Sequence, residues 1–263
     1  MRVVGCGPSL TATTQEVKAL DRESVTLAGG GKLSYLRAGD ASLPRVIYVH
    51  GTPGDATGFA DFLVKPVAGL ESISVDRLGF GESDPQHAET SFEAQAAAIA
   101  PLLVERDGKW PILVGHSLGG PIVARLAADN PGRVRALVIV AGSLDPAEEK
   151  IGFLQAIAQT GFVRFLLPSE LDNSLQELRE AKWETTKLAG VLGRIRCPVI
   201  VIHGTADPLV PYSNAKYIKQ MMTGTTVEIE TLPDQNHFIP WERPDTIRAA
   251  VSSLTTRPAG SDK

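Results

Sequence analysis

The chain keeps returning to one unit, a compact run of β-favouring residues followed by a stretch with helical spacing. The runs fall at residues 46–49, 73–75, 112–114, 136–140, 199–202 and 227–229. Nearly all are continuously apolar rather than alternating, which is the pattern of strands buried on both faces. The helix-patterned stretches lie at 57–67, 91–105, 118–130, 212–222 and 244–254. Strands alternating with helices imply a parallel sheet wound on both sides, because each crossover must return the chain to the same edge. Two shorter strands, at 25–27 and 33–37, flank Gly29-Gly30-Gly31 and read as a hairpin ahead of the repeating unit. The expected architecture is an α/β fold with a mostly parallel, doubly wound, eight-stranded sheet.

Residues 144–194 break this rhythm. The segment holds helical patterning around Pro168 and no strand candidate. It is too long for a plain loop, so it reads as an inserted helical subdomain. Residues 1–24 are polar without a clear period and read as a loose N-terminal arm, and the tail after residue 254 reads as frayed. The expected organisation is therefore an arm over 1–24, a core over 25–143 and 195–256, and an insertion over 144–194.

Composition narrows the partners. Of 263 residues, 43% are apolar and 21% charged, which is ordinary for a globular chain and excludes disordered and fibrous classes. The net charge is −4 and no basic block exceeds two residues, which argues against nucleic acid and anionic membrane surfaces as partners. No apolar run approaches the roughly 18 residues of a membrane span. Cys6 and Cys197 are too few for a disulfide framework and show no metal-ligand spacing. Cys197 precedes a strand run and reads as a buried, inert thiol. Val3-Val4-Gly5-Cys6 resembles a bacterial lipobox, but only five residues precede the cysteine where a signal needs an apolar stretch of about 7–15. The expectation is a cytoplasmic protein, with lipid anchoring at Cys6 as the alternative if the chain is a shortened precursor.

The strongest local signal is Gly115-His116-Ser117-Leu118-Gly119, between an apolar run and a helical pattern. A serine on a sharp strand-to-helix turn sits in a strained backbone, so residues two places either side must lack bulk. Gly115 and Gly119 meet that need, and the turn presents the hydroxyl beyond the end of the sheet. A hydroxyl is a poor nucleophile at neutral pH and needs a base. Of five histidines, His50, His116 and His203 close apolar strand runs, where packing or a backbone hydrogen bond explains them, and His87 sits in a polar loop. His237 remains, after the last strand candidate and before the last helix. Asp207 follows the strand at 199–202, at the edge where open parallel sheets form sites, and is expected to accept the second N–H of the base. Asp145 is the alternative acid. A metal centre on His50, His116 and His203 lacks a carboxylate at any recognisable spacing, and no metal or organic cofactor is expected.

In the order Ser117, Asp207, His237, these residues resemble the α/β-hydrolase family across nearly the whole chain. His50-Gly51-Thr52-Pro53-Gly54 is similar to the family's oxyanion loop, and Asp76-Arg77-Leu78-Gly79-Phe80-Gly81-Glu82-Ser83 to the stretch after its fourth strand. The resemblance implies that the backbone N–H groups of Thr52 and Leu118 bind the oxyanion. It also implies that Asp76 and Arg77 are architectural, and that residues 144–194 form a cap over the pocket. Phe153, Phe162, Phe165, Leu166, Leu167 and Trp183 are its candidate lining residues, and Trp241 borders the base. Serine at the nucleophile position argues against haloalkane dehalogenases and epoxide hydrolases, which carry aspartate there. The absence of an extended glycine-rich oxyanion loop argues against the hydrolases of aromatic carbon–carbon cleavage. The activity implied is hydrolysis of a small carboxylic ester through an acyl-enzyme. An amide, thioester, lactone or C–C substrate, or a ligand-binding role, are the alternatives.

Overall fold

In the computed structural model, residues 11–148 and 168–256 are described. Eight strands form one sheet: β1 (Asp21–Thr26), β2 (Lys32–Ala38), β3 (Arg45–Val49), β4 (Glu71–Val75), β5 (Ile112–His116), β6 (Ala136–Val140), β7 (Val199–Gly204) and β8 (Val227–Leu232). Their spatial order is β1-β2-β4-β3-β5-β6-β7-β8. β1 pairs antiparallel with β2 and β2 with β4, and the other five pairings are parallel. The mixed, mostly parallel sheet expected from the apolar runs is the one observed.

The continuous apolar runs have a direct cause. Along β3, Val46 and Tyr48 enter one apolar layer while Ile47 and Val49 enter the other, and β5, β6 and β7 divide in the same way. A strand whose successive side chains are all buried cannot alternate in polarity. One layer packs under α3 (Phe92–Ile99), α4 (Gly119–Asp129), α5 (Pro168–Ala189) and α6 (Ser213–Met221). The other packs under α2 (Ala60–Val64), α7 (Ile239–Glu242) and α8 (Pro244–Thr256). The two edge strands are different: β1 is exposed almost throughout, and β8 alternates. Charged edges of this kind discourage pairing with another chain.

Three elements depart from expectation. The N-terminal stretch is not featureless: α1 (Thr14–Lys18) opens with a reciprocal Thr13–Glu16 capping box. Thr11 and Ala12 donate their N–H groups to the Asp61 carboxylate at 2.9 and 2.6 Å, and β1 begins at Asp21 rather than at 25. Its polar residues carry no burial signal, and pairing with β2 defines it. The helix expected at 57–67 splits into a 3₁₀ turn (Ala56–Phe59) and α2, ending before Pro66. The helix expected at 91–105 ends at Ile99 and continues as a 3₁₀ turn containing Pro101, which lacks the N–H an α-helix requires. No strand lies between residues 144 and 194 among the described residues. Cys6, Phe153, Phe162, Phe165, Leu166 and Leu167 lie outside them. No helix among them is long and apolar enough to cross a membrane.

Candidate active site

All five parallel pairings run the same way, so the C-terminal ends of β3 to β8 share one edge, and every predicted site residue follows one of them. Ser117 stands between β5 and α4 with φ at +53°, a left-handed conformation that a side chain makes costly. Its N–H donates to the Val140 carbonyl at 3.0 Å, and its carbonyl accepts the Gly120 N–H at 2.9 Å, so the turn is held from both sides. A Cβ on Gly115 would overlap the Gly119 carbonyl, and one on Gly119 would overlap the Val49 carbonyl. Both glycines are therefore demanded by close backbone approach. Ser117 is only 2% exposed, and its Oγ is buried without a hydrogen-bond partner. No backbone hydrogen bond among the described residues uses the N–H of Leu118 or of Thr52.

His237 and Asp207 meet from neighbouring loops. The His237 Nδ1–H donates to Asp207 Oδ2 at 2.7 Å, with both side chains buried. Asp207 Oδ1 accepts the N–H groups of Leu209 and Val210, each at 2.9 Å. Burial alone would raise the Asp207 pKa and is the largest influence. The His237 charge, its hydrogen bond and the two backbone donors together outweigh it, leaving the carboxyl below its ordinary 3.8. His203 donates Nε2–H to the Val210 carbonyl at 2.9 Å, steadying the turn that holds Asp207. Among the described residues His237 pairs with Asp207 and not with Asp145. Asp145 is half-buried, accepts the Ala147 N–H at 2.9 Å, and its own N–H binds Asn214.

His116, beside the serine, ties the two halves together. Its Nε2–H donates to the His237 carbonyl at 3.0 Å, and the two rings lie 4.8 Å apart between centroids. Burial, reinforced by His237, pushes its pKa down to about 3, so the ring is neutral at neutral pH, and the carbonyl acceptor fixes its proton on Nε2. The Trp241 ring packs edge-on against His116 at 5.4 Å. Each of His50, His116 and His203 thus spends a ring N–H on a backbone carbonyl, as expected for strand-closing histidines. Among the described residues no group of three His, Cys, Asp or Glu side chains is placed to hold a metal ion. His87 is exposed. Cys197 is half-buried rather than buried, and burial pushes its thiol up to about 12, which keeps it inert at neutral pH.

The loop after β4 is tied into the fold by polar contacts whose partners were not foreseen. Asp76 pairs with Arg22 and accepts the N–H groups of Ala56 and Glu82 at 2.8 and 3.2 Å. Arg77 is fully buried and forks onto Glu177 of α5. Asn173 donates to the carbonyls of Gly79 and Gln86 at 2.7 and 2.9 Å, and Glu184 accepts the Phe92 N–H at the start of α3. Trp183, expected to line a pocket, is 62% exposed on the opposite side of α5. These polar anchors take the buried face of the helix and turn the indole outward.

The sequence matches the alpha/beta hydrolase fold family over residues 44–181. It is 26% identical over 260 residues to the sn-1-specific diacylglycerol lipase ABHD11 of Mus musculus, covering 84% of each chain. It is 33% identical over 153 residues to Lipase 1 of Psychrobacter immobilis, covering 53% of this chain and 48% of that one. Among solved structures, a bacterial membrane phospholipase A superposes with a TM-score of 0.70 at 21% identity, covering 92% of this chain and 88% of that one. With the eight-stranded sheet and a strained serine at the turn after β5, that match over more than half the sequence means that the chain belongs to the α/β-hydrolase fold family.

Proposed function

We propose that this protein is a serine hydrolase that cleaves a small carboxylic ester through an acyl-enzyme, with Ser117 as nucleophile, His237 as base and Asp207 as the acid that orients it. The observation that carries the reading is the buried 2.7 Å His237–Asp207 hydrogen bond, held against the residue next to a strained serine whose own hydroxyl is buried and unpaired. An unpaired buried hydroxyl costs about 1–3 kcal/mol, and such atoms gather where chemistry needs them. Catalytic hydrogen bonds commonly tighten only once substrate is bound.

In the proposed reaction Ser117 Oγ attacks the ester carbonyl carbon while its proton passes to His237 Nε2. The carbonyl oxygen becomes an oxyanion and takes hydrogen bonds from the N–H groups of Thr52 and Leu118. Collapse expels the alcohol, which leaves with the proton from His237, and Ser117 carries the acyl group. Water then gives a proton to His237 and attacks the acyl carbon, and collapse of that adduct frees the acid as His237 returns the proton to Ser117 Oγ. The Asp207 carboxylate stabilises the imidazolium in both halves and keeps the Nδ1 tautomer fixed. Residues 144–194 act as the cap, with α5 as its anchored base. The lipase names of two relatives support an ester over an amide as substrate.

Hydrolysis of short p-nitrophenyl esters by wild type and Ser117→Ala tests the reading. The substitution is expected to lower kcat by on the order of 10⁶. Equal rates for the two proteins would sink it. A panel of thioesters, lactones and amides, assayed alongside, ranks the acyl substrates.

A further inference from the structure

The peptide group joining Gly51 to Thr52 has a hydrogen-bonding group at each end. It is trans, so the Gly51 carbonyl and the Thr52 N–H point in opposite directions. The carbonyl oxygen accepts two hydrogen bonds, from His50 Nδ1–H at 2.7 Å and from Arg77 Nη2–H at 2.9 Å. His50 is itself fixed, since its Nε2 accepts the Arg77 backbone N–H at 3.1 Å. Burial first, and then the Arg77 charge, hold its pKa well below 6.5, so the ring keeps this neutral donor–acceptor arrangement. The Arg77 guanidinium also pairs with both carboxylate oxygens of Glu177 and lies 4.7 Å from the centre of the Phe80 ring. Its Nε is buried without a partner, so the group is oriented to serve Glu177 and Gly51 rather than to satisfy every donor. On its other side Gly51 backs onto the nucleophile. A Cβ there would stand 2.7 Å from Ser117 Cβ and 3.3 Å from Ser117 Oγ.

We propose that Arg77, held by Glu177 and joined by His50, is a positioning residue that aims and polarises the Thr52 N–H as an oxyanion donor. The proposal rests on the acyl-transfer reading given above. A carbonyl that accepts two hydrogen bonds, one of them from a cation, draws electron density from the peptide nitrogen and strengthens the N–H at the far end as a donor. Pinning the carbonyl also fixes where that N–H points, so no reorganisation is needed when charge develops on the substrate. The benefit exists only in the transition state. It belongs in kcat and not in KM. Helix α5 thereby reaches the reacting centre through one ion pair, without touching substrate.

The test separates this role from a structural one. Replacing a buried ion pair by apolar residues commonly leaves a fold as stable as before, whereas removing one partner strands a charge. The double variant Arg77→Met with Glu177→Leu is therefore expected to unfold near the wild-type temperature. Its kcat on p-nitrophenyl acetate should fall by about 10–100-fold with KM changed less than about threefold, a fraction of the loss seen when a whole oxyanion donor is removed. Inhibition by a phenylboronic acid, which mimics the tetrahedral adduct, should weaken by the same factor as kcat/KM. Arg77→Lys, with a single ammonium in place of the fork, should fall between the two. A folded double variant with wild-type kcat, or a rise in KM alone, overturns the proposal. If the double variant does not fold, Arg77→Lys carries the same comparison, and wild-type kcat there overturns it too. Fluorophosphonate labelling of Ser117 in wild type tells the two failures apart. No labelling sinks the acyl-transfer reading, whereas labelling with unchanged kcat in the variants sinks only the positioning role.

Discussion

Helices α4 and α5 pack on the same apolar layer of the sheet, yet their buried sides have opposite chemistry. α4 buries Ile122, Val123 and Leu126 against the strands. α5 buries Ala181 and Leu188, but beside them Asn173, Ser174, Glu177, Glu184 and Thr185. Apolar burial is strong and non-directional, roughly 25 cal/mol per Å², so it holds α4 in place without specifying angles. Hydrogen bonds and ion pairs contribute less net stability but fail when geometry shifts by an ångström. Ser117 thus leads into a helix secured by packing. The loops that carry His237 and Thr52 are secured by directional polar contacts. If this division holds, the two kinds of support should break differently.

The largest expected effect is on the directional side. Asp207→Asn keeps the volume and the backbone hydrogen bonds to Oδ1, but its amide favours the wrong His237 tautomer. We expect kcat to fall by about 10⁴ while the thermal midpoint moves little. Steady-state kinetics and a thermal melt on one preparation check both. Activity within tenfold of wild type would mean that the pair seen at 2.7 Å does not orient the base.

Next comes the packing side. Ile122 is fully buried on α4, and Ile122→Ala removes three buried carbon atoms that the surrounding structure cannot fully replace. The expected loss is about 2–5 kcal/mol in chemical denaturation. kcat per folded molecule should stay within about threefold of wild type. A kcat that fell in step with stability would show that packing, too, sets the geometry of the reacting groups.

The same division decides what could be read from the sequence. The strands were legible because burial on both faces leaves continuous apolar runs, and the placement of Ser117, Asp207 and His237 at one sheet edge because each follows such a run. Glu177, Asn173 and Glu184 were not legible. A carboxylate on a polar helix has the pattern of a solvent-facing residue, and its partner Arg77 lies 100 positions away. Trp183 misled in the opposite sense: a large apolar side chain is exposed because the polar anchors on the far side of the helix fix its rotation. β1 was read too short for a related reason, since backbone pairing with β2 and not burial of its side chains makes it a strand. Contacts that depend on a specific distant partner leave no local period.

The smallest effect sharpens the comparison at the point where the two supports join. His116 is on β5, the packed side, and its ring donates to the His237 carbonyl on the directional side. The groups around it are the His237 ring and, further off, Asp207 and His203, with Trp241 against its edge. Burial first, then His237, lower its pKa from 6.5 to about 3 in the folded protein. Between those values the unfolded chain binds a proton that the folded one refuses. Its contribution to stability is whole above pH 6.5, drains as the pH falls, and levels off near pH 3. The slope from this one group approaches about 1.4 kcal/mol per pH unit. His116→Gln retains a side-chain donor but cannot titrate. It is expected to lose stability more slowly than wild type on acidification, by up to that slope, while His50 and His203 titrate alike in both proteins. Urea melts at pH 7, 6, 5 and 4 measure the difference. Parallel curves would mean that the ring accepts a proton in the folded state, against the neutral His116 that burial implies.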